Sequence, residues 1–276
     1  MRFMKLSKTE ISSIAIGKFD SLHLGHQKLF HKLSKNGGIL IIDVEKKFRV
    51  LPKKYLSNFT NFPIFQYKLS EIRNLNGKEF IQKLKTDFPN LTEIIIGYDF
   101  QFGKERKCRI SDLKEFSDFK ITVVDEVKIE NISVHSGEIT KKLQNGEIEL
   151  ANKLLGREFS IIGKHIRGQG IGKKNLFPTL NIEYSDFITP KFGVYFTKTI
   201  LENKKYDSIS FLGIRETTDN RFSLETYIFD KGIEDKDFGS IEIIFKKFIR
   251  KNRSFENLAD LKTQISKDIQ IAKSYL

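Results

Sequence analysis

Two histidines three residues apart, His23 and His26, stand in the segment Gly17-Lys18-Phe19-Asp20-Ser21-Leu22-His23-Leu24-Gly25-His26, directly after an apolar stretch. At a helix start that spacing puts both rings on one face. Gly25 between them lets a phosphate approach the backbone closely. A helix start also offers free N–H groups and a positive potential to an anion. Two imidazoles there can stabilise charge building on an α-phosphate by position and electrostatics, with no covalent intermediate. Two surface histidines, or a metal pair, would leave the same spacing.

A second set lies past the middle of the chain. Gly163, Gly168, Gly170 and Gly172 alternate with basic residues up to Lys173 and Lys174, and Phe177-Pro178-Thr179-Leu180-Asn181 follows. The glycine spacing is not a dinucleotide fingerprint, because no strand-helix unit with a following acidic residue surrounds it. A glycine-rich basic loop can still wrap phosphates through backbone N–H groups. Thr179 and Asn181 flank Leu180, so on a strand they share one face. A hydroxyl and an amide oxygen are hard ligands that suit Mg²⁺ carried by a nucleotide. A turn followed by a core strand would read the same way. Further on, Glu225 sits in an alternating run, where spacing alone describes a solvent-facing residue.

The elements that must hold these groups differ between the two parts of the chain. In the first, apolar runs at Ser13–Ile16, Gly38–Val44, Glu93–Gly97 and Ile121–Val124 read as strands, and 24–33 and 77–85 read as helices. Strand-helix alternation of this kind predicts a parallel sheet covered by helices. Residues 136–155 read as two short helices broken at Asn145-Gly146. After Gly156 the runs 159–163, 193–199, 208–212, 223–229 and 241–249 alternate in polarity between turn residues, which predicts a small antiparallel barrel. Leu258, Leu261, Ile265, Ile269 and Ala272 fall at helical spacing and predict a closing amphipathic helix. The domains expected are 1–155 and 156–276.

The chain has 276 residues and a net charge of +13. The length allows two ordinary domains. The basic residues are mostly lysines scattered singly or in pairs, and no block of five like charges occurs. Three readings of the charge stand: attraction for anionic nucleotides, solvated lysine-rich faces, or a nucleic-acid-binding protein. The last lacks the aromatic and arginine stacking motifs of common RNA modules. No run approaches the roughly 18 apolar residues of a membrane span, and 1–10 has no apolar core of a secretory signal. Cys108 is the only cysteine, so no intramolecular disulfide forms, in keeping with a cytoplasmic location. A homo-oligomer is compatible with the sequence, which does not specify it.

The His23/His26 segment resembles the G-N-F-D-G-x-H-x-G-H signature of bacterial bifunctional riboflavin kinase/FAD synthetases. Gly97-Tyr98-Asp99-Phe100-Gln101-Phe102-Gly103 is similar to their G-x-D-F-R-F-G segment. The later half carries a G-F-P-T-A-N-like stretch at 177–181, then Gly193-Val194-Tyr195, Leu212-Gly213-Ile214-Arg215, Leu224-Glu225-Thr226-Tyr227 and Phe248-Ile249-Arg250, in the family's order. The resemblance covers nearly the whole chain. It implies a Rossmann-like nucleotidyltransferase domain with a parallel sheet, then a small antiparallel β-barrel with a terminal helix. It implies two activities, riboflavin plus ATP to FMN, and FMN plus ATP to FAD, with Mg²⁺ as cofactor.

It also implies roles. Glu225 would be the general base on the ribityl 5′-hydroxyl, with His23 and His26 catalytic in adenylyl transfer. Gly17, Phe19, Asp20, Gly25 and Asp99 would bind nucleotide in the first domain. Gly163, Gly168, Gly170, Lys173, Thr179 and Asn181 would do so in the second, with Thr179 and Asn181 also holding the metal. Phe100, Gly193, Tyr195 and Arg250 would bind flavin. The chain departs from the family pattern at Lys18, Ser21, Gln101 and the run 43–48. It also departs at Thr140, where the S-S-T-x-I-R motif, here His135-Ser136-Gly137-Glu138-Ile139-Thr140, has arginine. Those departures motivate an alternative, a monofunctional riboflavin kinase with a degenerate first domain.

Overall fold

The computed structural model describes residues 6–167, 177–217, 219–230, 232–234 and 236–276. The chain divides into two compact units, one ending at Ser136 and the other beginning at Gly137.

In the first unit, β1 (Ser13–Gly17), α1 (Leu24–Phe30), β2 (Gly37–Asp43), β3 (Ile64–Lys68), α2 (Leu69–Ile72), α3 (Gly77–Asp87), β4 (Glu93–Gly97), α4 (Ile110–Phe116) and β5 (Lys120–Val124) follow one another. The strands form one sheet in the order β3-β2-β1-β4-β5, with every pair parallel. A parallel sheet must be covered on both faces, and the alternation within β1 serves this. Ile14 and Ile16 enter the core that holds Phe80, Ile81 and Leu84 of α3. Ala15 joins Leu29 and Phe30 of α1 in the other core. Each fully buried Ile or Leu of this kind contributes roughly 1.5–3 kcal/mol. Helix α3 starts on a capping box: Asn76 Oδ1 accepts from Glu79 N at 3.0 Å, and Glu79 Oε2 accepts from Asn76 N at 2.7 Å. The unit closes with a hairpin of β6 (Lys128–Ile129) and β7 (Ile132–Ser133). Its two-residue turn places Glu130 and Asn131 at φ of 51° and 63°, as a twisted hairpin requires.

The second unit opens with α5 (Ser136–Asn145) and α6 (Ile148–Leu155). The boundary expected at 155/156 and the division at 136/137 differ by these two helices. They cluster with the barrel through Asn152, which donates to Phe245 O at 3.0 Å and accepts from Phe159 N at 2.8 Å. The barrel consists of β8 (Ser160–Ile166), β9 (Leu180–Glu183), β10 (Gly193–Leu201), β11 (Lys204–Ile214), β12 (Phe222–Ile228) and β13 (Ser240–Lys251). It closes in the order β10-β11-β12-β9-β8-β13, every pair antiparallel.

Its interior is partly polar. The hydroxyls of Thr197, Thr199, Ser208, Ser210 and Thr226 are buried and hydrogen-bond one another at 2.8–3.0 Å. A buried hydroxyl left alone would cost about 1–3 kcal/mol, so the five satisfy one another. The closing helix α7 (Leu258–Lys273) lies outside, with Ile269 and Ala272 against Val194, Phe196 and Ile209. Among the described residues no helix is long and apolar enough to cross a membrane.

Candidate active sites

The first site is the turn between β1 and α1. Phe19 and Leu22 both take left-handed backbone, at φ of 47° and 48°, which costs a non-glycine residue of order 1–3 kcal/mol. The surroundings hold them there. Phe19 is buried, with its ring 5.0 Å from both His26 and Phe30. Asp20 accepts through its carbonyl from Leu51 N at 3.1 Å and pairs through its carboxylate with buried Arg49. Arg49 also reaches Asp43 Oδ1 at 2.8 Å. Asp43 in turn is bound by Lys53 and, at 2.8 Å, by Gln66. Burial pushes Asp43 up, but Lys53, the Glu45 backbone N–H and Arg49 outweigh it and hold the carboxyl below the usual range. Nothing in local spacing announces this network, because Asp20 and Arg49 lie 29 residues apart.

The turn delivers both histidines to the helix start. His23 caps α1: its Nδ1 accepts from His26 N at 3.3 Å. The two rings stack with centroids 3.6 Å apart. His26 Nδ1 is buried with no hydrogen-bond partner among the described residues. Burial, then the charge of His135, pushes His23 down to about 4. Burial, then His23 and His135, pushes His26 well below its ordinary value. Both rings are therefore neutral at pH 7.

A pH dependence of stability follows. Below 6.5 the unfolded chain takes up protons on these rings that the folded chain refuses, so stability falls as pH drops from 6.5 towards 4. For His23 alone the loss is about 3 kcal/mol. The thermal midpoint of the first unit's transition should fall across that window, and His23→Gln should flatten the slope. Parallel slopes in wild type and variant would remove His23 from the account.

Of the other residues expected here, Gly17 ends β1 and Gly25 lies in the first turn of α1. Asp99 is exposed just beyond β4, and Phe100 is half-buried with its ring 5.9 Å from Phe102.

The second site lies on the outer face of the barrel. Glu225 on β12 is the register partner of Asn181 on β9 and, on its other side, of Phe211 on β11. Thr179 donates to Glu225 Oε2 at 3.3 Å. Ser223 Oγ and Arg215 Nη1 donate to Oε1 at 2.8 and 3.1 Å. Arg215 is itself oriented by Asp219, at 2.9 Å. Thr179, Asn181 and Glu225, expected separately, thus converge. Arg215, Ser223 and Asp219 were not expected to join them.

A cavity of about 440 Å³ opens beside Asn181, lined also by Arg167, Tyr184, Arg215, Arg221 and Phe222. Next to Glu225, Phe177, Phe211, Tyr227 and Phe229 pack against the Val194, Phe196 and Ile209 cluster. No linear motif marks this aromatic surface, because three strands and the segment before β9 contribute to it.

Gly163 and Gly193 are sites of close strand approach. A Cβ on Gly163 would lie 2.4 Å from Glu183 O, and one on Gly193 would lie 2.2 Å from Arg250 O. Tyr195 is wholly inside the barrel, its hydroxyl donating to Lys191 O. Arg250 spends its guanidinium on Asp268 of α7, at 2.8–3.0 Å, and on Lys251 O. Gly168, Gly170 and Lys173 lie outside the described residues.

An α/β unit with a paired-imidazole helix start, joined to a barrel that presents a carboxylate beside a cationic cavity, defines a two-domain transferase architecture. The riboflavin kinase family model matches residues 155–276, and the FAD synthetase family model matches residues 35–138. The bifunctional riboflavin kinase/FMN adenylyltransferase of Buchnera aphidicola subsp. Schizaphis graminum is 36% identical, over 96% of this chain and 94% of its own length. The protein of that name from Bacillus subtilis is 29% identical, over 96% and 92%. The crystal structure of a macrolide-efflux protein from Streptococcus pneumoniae superposes with a TM-score of 0.83 at 23% identity, over 96% of this chain and 94% of that one, which shows the shared fold. The chain belongs to the bifunctional riboflavin kinase/FMN adenylyltransferase family.

Proposed function

We propose that the barrel unit phosphorylates riboflavin with ATP to FMN, and that the parallel-sheet unit adenylylates FMN with ATP to FAD and pyrophosphate. The observation that carries the kinase assignment is the convergence of Thr179, Asn181 and Glu225 on one outer face of the barrel.

In the kinase step the aromatic surface of Phe177, Phe211 and Tyr227 takes the flavin ring. The cavity lined by Arg167, Arg215 and Arg221 takes the triphosphate. Ser223 and Arg215 both donate to Glu225 Oε1, whereas Oε2 meets Thr179 at the longer distance of 3.3 Å, so Oε2 is the oxygen that receives the proton of the ribityl 5′-hydroxyl. That hydroxyl oxygen attacks the γ-phosphorus, and the bond to the β–γ bridging oxygen breaks to release ADP. Tyr195 and Arg250 act by shaping the barrel and fastening α7, not by touching the ring. The hydroxyl of Thr179 and the amide oxygen of Asn181 fit Mg²⁺ as hard oxygen donors. Bound with ATP, the ion would supply charge neutralisation at the transferring phosphate.

In the adenylyl step an FMN phosphate oxygen attacks the α-phosphorus, and pyrophosphate leaves. His23 and His26, with the backbone N–H groups that open α1, hold the charge that builds on the α-phosphate. Asp20 and Arg49 keep the turn in place. A cytoplasmic location accords with the single cysteine, Cys108.

The test is incubation of the purified chain with riboflavin, ATP and Mg²⁺, with flavins separated by chromatography. FMN followed by FAD is the expected result. FMN alone would leave a monofunctional kinase, and no flavin nucleotide from folded protein would overturn both assignments.

A further inference from the structure

We infer that His135 is a third phosphate-binding imidazole of the adenylyl-transfer site. The inference rests on the adenylyl-transfer reading above.

His135 follows the β6–β7 hairpin, and its neighbours on both sides are pinned to the His23/His26 turn. Ser136 Oγ hydrogen-bonds Ser21 Oγ at 2.9 Å. Buried Val134 places its carbonyl oxygen 3.8 Å from where a Cβ on Gly25 would stand. A residue between those two contacts is held at the start of α1. Its electrostatic reach agrees, since charge on His135 lowers the basicity of both His23 and His26.

The ring is also wired differently from the other two. His135 Nε2 lies 3.1 Å from the Tyr98 hydroxyl, which donates to Glu126 Oε1 at 3.4 Å. The Ser133 hydroxyl, then Lys128, holds Glu126 below the usual carboxylate range, so it is ionised at neutral pH. With the phenol proton directed at Glu126, Nε2–H of His135 donates to the phenol oxygen. The ring is thus backed by a carboxylate through Tyr98. The charged groups of this environment are Glu126, Lys128 and Asp99, and its titratable rings are His23, His26 and Tyr98.

His23 and His26 are too buried to be charged, and Thr140 supplies no cation where the family pattern has arginine. His135 is half-exposed and so open to an arriving triphosphate. The three rings then offer one phosphate site at the start of α1.

The experiment uses the full chain, with FAD formation from FMN and ATP, and FMN formation from riboflavin and ATP, measured separately. His135→Gln should lower kcat/KM for ATP in FAD formation on the order of a hundredfold and leave FMN formation unchanged. His135→Lys should recover part of the rate. If His135→Gln melts at a lower temperature than wild type, Tyr98→Phe, a change at an exposed ring, decides: a several-fold loss supports the inference and an unchanged rate overturns it. A wild-type rate in folded His135→Gln would overturn the inference alone. Absence of FAD from the wild-type chain would overturn the adenylyl reading beneath it, and the inference with it.

Discussion

Glu225→Gln is expected to reduce FMN formation by about 10²–10⁴-fold, the range a positioned general base contributes. The substitution keeps the side-chain shape but removes the basicity of the oxygen that Thr179 touches. It does not strand a buried cation, because Arg215 is partly exposed and retains Asp219 at 2.9 Å. The stability change should therefore stay near that of an exposed ion pair, about 1 kcal/mol or less. FAD formation from supplied FMN should continue at the wild-type rate. Single-turnover chromatography of the riboflavin reaction, beside a thermal melt, separates the outcomes. Turnover within a few-fold of wild type would remove Glu225 as the base. Lost turnover with a lowered melting temperature would point instead to a structural role.

His26→Ala is expected to reduce FAD formation on the order of 10²–10³-fold, the cost of removing one preorganised donor from a charge-stabilising site. FMN formation should be unaffected, since the barrel has its own core and its own site. The orphaned Nδ1 of His26 supports the assignment. A buried polar atom without a partner costs about 1–3 kcal/mol, and a ligand-binding group accounts for it better than packing does. His26 also stacks on His23 and meets the Phe19 ring edge-on, so His26→Asn serves as the less disruptive control. If Asn also abolishes FAD formation while the protein melts normally, the loss is chemical. Equal loss of FMN and FAD would contradict the separation of the two sites.

Much of the architecture was legible without coordinates because burial writes itself into hydropathy. β1, β2 and β4 carry continuous apolar runs since both faces of the inner sheet are covered, and the edge strand β5 was legible from the short run Ile121–Val124. β3, Ile64–Lys68, escaped notice because it is an edge strand with mixed polarity, four of its five residues being half-buried or less around buried Tyr67. β9 escaped as a separate strand because it has only four residues and owes its conformation to pairing with β8 and β12. The helices at 136–155 were readable as helices. Asn152 among them has its partners, Phe159 and Phe245, after Gly156, which no local spacing announces.

The candidate sites divide along the same line. His23, His26, Thr179, Asn181 and Glu225 stood out in the sequence, the first four by type and short spacing and Glu225 by its place among the family's motifs. Partners set by register and by chain return had no such signal. Arg215 reaches Glu225 across neighbouring strands, Arg49 reaches Asp20 from after β2, and Ser136 reaches Ser21 from the far end of its unit. The sequence by itself determined the two kinds of fold, their order and the residues able to do phosphate chemistry, because periodicity and residue type are local. Tertiary structure alone decided which of those residues meet, which partners each oxygen of Glu225 has, and that burial lowers the basicity of His23 and His26. Those outcomes depend on burial and on charges that approach only when the chain has closed on itself.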